Sequence, residues 1–428
     1  MKKVYTCFTT SVLHDGHLNI IREAGKYGEV IVGALSDEAL IRFNKFPIIP
    51  IEERVRLYRN IKGVSKVIIQ NEMNYDDVIP LVQPDYVIHG DNWKRGPLMT
   101  LRTHLQELLS VYGGELIDVP YTSNKEVRKV DNLLNEKLIM PEYRRKRFRQ
   151  LLQMSPIVKV LEAHSGLSAL IAEKTVVEHN GELDQFDAMW VSGVCDSISR
   201  GKPDLELVDM SARMVTIDEI MEVTTKPILL DGGSGGSPEH LKYHVQSLER
   251  MGVAGIVIED GSSVSSRAHN GDGLEPVDRF CEKIAAGKDA VRTDDFMIIA
   301  RLDGMTRGET PEQTLERAKA YLNAGADGLM VYGHHEGKTE MILHFCDLFR
   351  EEDLTTPLIV LSSDVPNIPE SELIRHKIDV LIYPNQLFRS AFSAMQSAAE
   401  KLLKEGLSND LEDSLKPIDE IASMVDYL

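Results

Sequence analysis

At 428 residues the chain is too long for one ordinary compact domain, and two or three domains are expected. A formal charge of −19 at pH 7 argues against general nucleic-acid binding, while an anionic substrate in a locally positive site stays compatible with it. No apolar run reaches membrane-spanning length, and Met1-Lys2-Lys3 leads into a short strand pattern instead of the apolar core of a signal peptide, which predicts a cytoplasmic protein without membrane contact. The four widely spaced cysteines, Cys7, Cys195, Cys281 and Cys346, imply neither a zinc site nor a disulfide framework.

Residues 1–125 alternate short β-rich runs with amphipathic stretches. Val4–Phe8, Val30–Leu35, Lys66–Ile69, Tyr86–His89 and Glu115–Val119 read as strands, and Leu18–Tyr27 and Met99–Tyr112 as helices. This alternation predicts a parallel sheet covered on both faces, an α/β domain of Rossmann-like type. Where the first strand turns into the first helix stands His14-Asp15-Gly16-His17. Two imidazoles there can reach nucleotide phosphates, the glycine allows close backbone approach, and the helix start adds unpaired N–H groups. The alternative is a capping turn with two surface histidines; the strand–turn–helix context favours the nucleotide.

Residues 126–155 contain the basic run Tyr143-Arg144-Arg145-Lys146-Arg147-Phe148-Arg149. It is read as a solvated helical linker in preference to a patch for an acidic partner. Residues 156–428 then repeat a strand–helix pattern. Strand-like runs fall at Val158–Glu162, Ala188–Ser192, Ile228–Asp231, Gly255–Glu259, Met297–Arg301, Gly328–Tyr332, Leu358–Leu361 and Val380–Tyr383. Pro238–Met251, Pro311–Ala324 and Leu387–Lys404 are helical patterns among them. That count and spacing predict a (β/α)8 barrel of TIM type, whose chemistry sits at the C-terminal strand ends. Asp231, Glu259, Asp260, Arg301 and Asp303 cluster there; Asp260 is read as a cap or turn residue.

The ordered motifs resemble the fused form of the phosphoenolpyruvate mutase family, a cytidylyltransferase-like domain ahead of a barrel of the isocitrate lyase/phosphoenolpyruvate mutase superfamily. The resemblance rests on His14-Asp15-Gly16-His17-Leu18-Asn19, Glu53-Arg54 and His89-Gly90-Asp91-Asn92-Trp93 in the first domain. In the barrel it rests on Leu161-Glu162-Ala163-His164, Gly201-Lys202-Pro203-Asp204, Thr224-Thr225-Lys226-Pro227, Ile258-Glu259-Asp260 and Asp294-Asp295-Phe296-Met297 through Arg301. It implies conversion of phosphoenolpyruvate to phosphonopyruvate in the barrel, with Mg2+ near Asp231, Asp204 and Glu259 and with Arg301 gripping the phosphoryl group. Trp190, Ser192, Gly193, Val194 and Arg267 would bind the substrate, and Asp231, Arg301, His14 and His17 would be catalytic. It implies CTP as co-substrate of the first domain, in a site of Phe8, Thr9, His14, Gly16, His17, Lys45, Arg54, Asp91 and Trp93. Small anionic substrates, no nucleic acid and a homo-oligomer (tetramer or dimer) complete that expectation.

The chain departs from the family pattern at several places. The mobile loop Glu-Asp-Lys-x-x-x-Lys-x-Asn-Ser is here Glu259-Asp260-Gly261-Ser262-Ser263-Val264-Ser265-Ser266-Arg267-Ala268, without either lysine. Asp-x-Asp-Thr-Gly becomes Asp231-Gly232-Gly233-Ser234-Gly235, a histidine becomes Tyr332 with His334 and His335 beyond, and an Asn-His pair becomes Asn385-Gln386. In the first domain Ser11 and Asn44 stand for an aspartate and a lysine, and Tyr121-Thr122-Ser123-Asn124-Lys125 replaces the closing hydroxyl motif. Two alternatives therefore stay open: altered chemistry on another small phosphono or keto acid, or a non-catalytic regulatory paralogue. A carbon–carbon lyase is set aside, since Gly261–Gly273 contains no cysteine.

Overall fold

A computed structural model describes residues 2–9, 13–43, 45, 47, 49–94, 98–120, 138–179, 182–261, 273–333, 339–406, 409–412 and 414–425. They divide into two compact units: Met1–Leu138 with Thr175–Gln185, and Ile139–Lys174 with Phe186–Leu428.

The first unit is built on a five-stranded parallel sheet of β1 (Lys3–Phe8), β2 (Glu29–Leu35), β3 (Val64–Gln70), β4 (Tyr86–Gly90) and β5 (Glu115–Val119) in the order β3-β2-β1-β4-β5. Val30 through Leu35 are all buried, the near-continuous apolar run of a strand covered on both faces. Two apolar layers flank the sheet, one around Val4, Phe8, Val32 and Tyr58, the other around Tyr5, Val87, Trp93 and Leu105. The strand order reverses between β1 and β4, so the β1 turn opens at the switch point where such sheets take ligands. An antiparallel hairpin of β7 (Val176–His179) and β8 (Glu182–Gln185) groups with this unit, although it lies inside the sequence range expected for the barrel alone. Its strands of four residues carry no periodicity long enough to announce it.

The second unit is a closed parallel barrel whose strands pair in chain order, with the last strand closing on the first. Its strands are β6 (Val158–Glu162), β9 (Ala188–Val191), β10 (Ile228–Asp231), β11 (Gly255–Glu259), β12 (Met297–Leu302), β13 (Gly328–Val331), β14 (Leu358–Leu361) and β15 (Val380–Tyr383). All eight runs read from the sequence are strands, because a strand buried on both sides must be apolar along its length. Ile228, Ile256, Ile298, Leu329, Leu358 and Val360 are fully buried in one core cluster with the faces of the surrounding helices.

The basic segment is not a solvated linker. The helix Pro141–Met154 belongs to the barrel unit and buries Arg144, Arg145 and Arg147. Arg144 donates to the carbonyls of Met221 (3.2 Å), Lys226 (3.1 Å) and Thr224, and Arg145 to that of Glu249. Met221 and Glu249 lie in the last turns of barrel helices, where a cation is favoured; the Glu249 carbonyl also takes the Gly252 N–H at 3.1 Å. Burial pulls the Arg144 and Arg147 guanidiniums down to about 10. The charge run reads as solvated only when those carbonyls, distant in sequence, are left out.

Asp187, at the foot of β9, accepts the Lys159 N–H at 2.8 Å, and burial raises its carboxyl to about 6. The folded state holds this proton over a range where the unfolded chain has lost it. Its stabilising effect is complete below about pH 4 and is lost as pH rises to about 6. Urea unfolding midpoints of the wild type should therefore contain a downward component over that window that Asp187→Asn lacks.

Among the described residues no helix is long and apolar enough to cross a membrane.

Candidate active site

In the first unit His14 is the N-cap of the helix Asp15–Ala24. Its Nδ1 accepts the Gly16 N–H at 3.1 Å, and His17 Nδ1 accepts the His14 N–H at 3.4 Å, a reciprocal capping box made by imidazoles. The rings lie 3.9 Å apart, and Phe8 meets His17 edge-on at 4.8 Å. Burial, then the neighbouring His14 and Lys45, push His17 down to about 3. His17 should hence stay neutral from pH 5 to pH 8, with ring chemical shifts in NMR that do not titrate in that range. Lys45 donates to Thr9 Oγ1 at 3.1 Å. Phe8, Thr9, His14, Gly16, His17 and Lys45 thus gather at the end of β1.

Arg54 and Trp93 do something else. Arg54 is fully buried and donates to the carbonyls of Leu35 (2.6 Å) and Ile49 (2.9 Å) and to Asp37. Trp93 is 1% exposed, stacks on His89 at 3.7 Å and donates its indole N–H to Asp118 at 3.0 Å. Both side chains brace the domain. Asp91 opens the short 3-10 turn ahead of Trp93 and is partly exposed. Ser11, Asn44 and Tyr121–Lys125 lie outside the described residues.

In the second unit a cavity of ≈ 780 Å³ lies at the C-terminal strand ends, lined by Gly193, Val194, Asp204, Glu206, Asp231, Glu259, Arg301, Asp303 and Tyr332 among others. Asp231 ends β10, where the apolar strand meets the cavity. One of its carboxylate oxygens accepts the Gly193 N–H at 3.2 Å, the other the Gly233 N–H at 3.1 Å. Arg213 donates to its main-chain carbonyl. A Cβ on Gly193 would lie 3.2 Å from Asp231 Oδ2 and 3.8 Å from Asp204 Oδ1, so both carboxylates face one glycine-sized space. Burial and the Asp231 charge raise the Asp204 carboxyl.

Arg301, from β12, donates through Nε to Asp303 Oδ1 at 2.8 Å and through Nη2 to Glu259. Its guanidinium lies 4.6 Å from the Tyr332 ring centroid. Burial opposes its charge, but Asp303 and Asp231 outweigh that and raise its pKa further. Asp260 is not a cap or turn residue. It is fully buried, takes the Asp303 N–H at 2.7 Å and the Tyr321 hydroxyl at 2.7 Å, and so fixes the strand end that carries Arg301.

The cavity lacks some of the expected residues. Trp190 is 3% exposed within the barrel wall, and Ser192 caps the helix Gly193–Ser199 by accepting the Cys195 N–H at 3.4 Å. Gly193 and Val194 do line it, the Gly193 amide being already engaged by Asp231. Arg267, His334 and His335 lie outside the described residues. Sequence reasoning missed Arg213 and Glu206. Arg213 acts on a main-chain carbonyl and has no motif; Glu206, two residues after Asp204, offered only that spacing as a signal.

The carboxylates are a hard-oxygen set of the kind Mg2+ takes. Among the described residues no three acidic, histidine or cysteine side chains converge to hold a metal by themselves.

The sequence model of phosphoenolpyruvate phosphomutase matches residues 148–403, more than half of the chain. The chain belongs to the phosphoenolpyruvate phosphomutase family. A cytidylyltransferase-like model matches residues 9–160. Among relatives of this family, the phosphoenolpyruvate phosphomutase of Streptomyces hygroscopicus is 30% identical over 285 residues, covering 66% of this chain and 87% of that protein. A 2-methylisocitrate lyase from Shewanella oneidensis is 26% identical over 276 residues, covering 63% and 89%. The crystal structure of phosphoenolpyruvate phosphomutase from Streptomyces platensis subsp. rosaceus superposes with a TM-score of 0.59 at 28% identity, covering 65% of this chain and 93% of that one. A phosphonopyruvate hydrolase solved with oxalate and Mg++ shares the fold at 24% identity, with a TM-score of 0.59 and coverage of 66% and 94%. Mutase, hydrolase and lyase names thus attach to one barrel type, and its members are enzymes.

Proposed function

We propose that the barrel interconverts phosphoenolpyruvate and phosphonopyruvate, and that the first domain is a CTP-dependent phosphonate cytidylyltransferase, together a cytoplasmic protein of phosphonate biosynthesis. The observation that carries the barrel reading is that Asp231 and Arg301 line one cavity at the C-terminal strand ends. Asp231 would hold Mg2+, with Asp204 and Glu259 acting through water. The ion would neutralise charge on the enolpyruvate oxygens. Arg301 offers a planar fork for the phosphoryl group, oriented by Asp303 and by the face of Tyr332. Phosphoryl transfer of this kind depends mainly on positioning and charge stabilisation, which these groups supply. Arg267 would complete the substrate contacts.

In the first domain His14 and His17 would stabilise the transition state as a phosphonate oxygen attacks the α-phosphorus of CTP and pyrophosphate leaves. Their close pairing at the β1 switch point supports this reading. Homo-oligomerisation, as a tetramer or dimer, is supported by the helix Gln386–Glu405, which buries no residue and exposes Phe392, Met395 and Leu403.

A second reading, altered chemistry on another small phosphono or keto acid, is favoured by Gly233 and Tyr332 on the cavity wall. Phosphorus NMR separates the two. Appearance of phosphoenolpyruvate from phosphonopyruvate and Mg2+ supports the mutase. A different product supports the second reading. With CTP and simple phosphonates, a CMP–phosphonate signal lost in His17→Ala supports the first domain's activity. Silence in both arms overturns both activities in favour of a regulatory paralogue.

A further inference from the structure

Two residues beyond Asp231 the chain has Gly233, with φ +56, and the space beside it is filled from another loop. A Cβ on Gly233 would lie 2.7 Å from Glu206 Oε1, so a side chain there would make the Glu206 carboxylate move aside. The Glu206 carboxylate accepts the Ser234 N–H at 2.8 Å and lines the same cavity as Asp204, Asp231 and Glu259. Glu206 is itself in the left-handed region, with φ 55, which costs a non-glycine residue energy and persists where surrounding interactions enforce it. Nothing in the apolar packing demands a carboxylate there. What the strained backbone achieves is delivery of a second acidic group to the loop that leaves β10, where the residue in place is a glycine.

We infer that Glu206 supplies, from the loop after Asp204, the carboxylate that residue 233 does not provide, and that it belongs to the divalent-cation environment around Asp231. The inference rests on the metal-dependent reading of the barrel given above. Glu206 is a positioning residue for the ion, acting beside Asp231 through water. The Gly233 side-chain space and the Glu206 carboxylate are one exchangeable place: an acid at residue 233 would displace the Glu206 carboxylate from it. A charge moved from one loop to another in this way keeps the ion while reshaping the wall that faces the substrate.

The test uses Mn2+ as the probe and the full chain stripped of metal with a chelator. Free Mn2+ is read by its electron paramagnetic resonance signal, which does not depend on turnover. Glu206→Gln keeps the size and an acceptor for the Ser234 N–H but removes the charge; it should raise the Mn2+ Kd on the order of tenfold, as loss of an outer partner does. Glu206→Gly should weaken binding similarly and fold well, since glycine adopts the left-handed backbone freely. Glu206→Gly/Gly233→Asp should restore most of the affinity, because the vacated space admits the aspartate and aspartate tolerates that backbone region better than most residues.

Wild-type affinity in Glu206→Gln, beside loss in Asp231→Ala, would overturn the inference alone. Weakened binding in Glu206→Gly with no recovery in the double variant would overturn the exchange of places. Wild-type protein that takes up no Mn2+ would overturn the metal reading of the barrel itself, and the inference with it.

Discussion

Asp231→Ala is expected to reduce turnover of phosphonopyruvate on the order of a thousandfold or more, with the fold intact. The carboxylate is held by the amides of Gly193 and Gly233, one on each oxygen, and Arg213 fixes the main chain behind it. An alanine leaves those two N–H groups facing a cavity that water can fill, so the cost to stability is small beside the cost to chemistry. Asp231→Asn is the sharper variant: one oxygen still accepts, but the charge is gone. Phosphorus NMR reads the rate and circular dichroism the fold. Turnover within a few fold of wild type in both variants would remove Asp231 from the mechanism. Loss of folded signal in Asp231→Ala alone would transfer the question to Asp231→Asn.

Arg54→Ala should destabilise the first domain by about 3–5 kcal/mol, the usual effect of removing one partner of a buried ion pair. The guanidinium is fully buried and spans Leu35, Ile49 and Asp37, joining the end of β2 to the loop before the helix Ile51–Arg59. Its loss removes a donor from two carbonyls and the charge partner of Asp37, which keeps the Ile51 N–H at 3.1 Å. Arg54→Lys should recover only part of the loss, since an ammonium cannot reach three acceptors in a planar fork. Of the two tryptophans, Trp93 lies in this domain, so urea unfolding followed by fluorescence in a Trp190→Phe background reports it selectively. Unchanged stability with weakened CTP binding would return Arg54 to the nucleotide site suggested by its motif.

The Arg54 case shows where motif and structure part. Glu53-Arg54 follows the family pattern in both composition and spacing, yet a motif does not say whether a residue touches ligand or holds the wall behind it. Trp93 repeats the lesson: its place after His89 and Asp91 marks the family, and its ring is committed to His89 and Asp118. The placement of His14 and His17 was legible because it needs only local geometry, a strand end and a helix start. Arg144 was illegible in the opposite sense. Its partners at Met221, Thr224 and Lys226 are about 80 positions away, and no local pattern distinguishes an arginine that finds such carbonyls from one in water.

By itself the sequence determined the two α/β architectures, the eight barrel strands, the acidic and basic groups at their C-terminal ends, and the imidazole pair after β1. These follow from periodicity and local turn chemistry, which act over a few residues. Tertiary structure alone decided that the basic helix closes the barrel unit, that the hairpin Val176–Gln185 groups with the first domain, that Asp260 is a buried brace, and that Glu206 stands in the space beside Gly233. Each depends on which distant backbone groups and empty volumes meet a side chain. Desolvation and contact between remote segments decide that, and neither is written in local spacing.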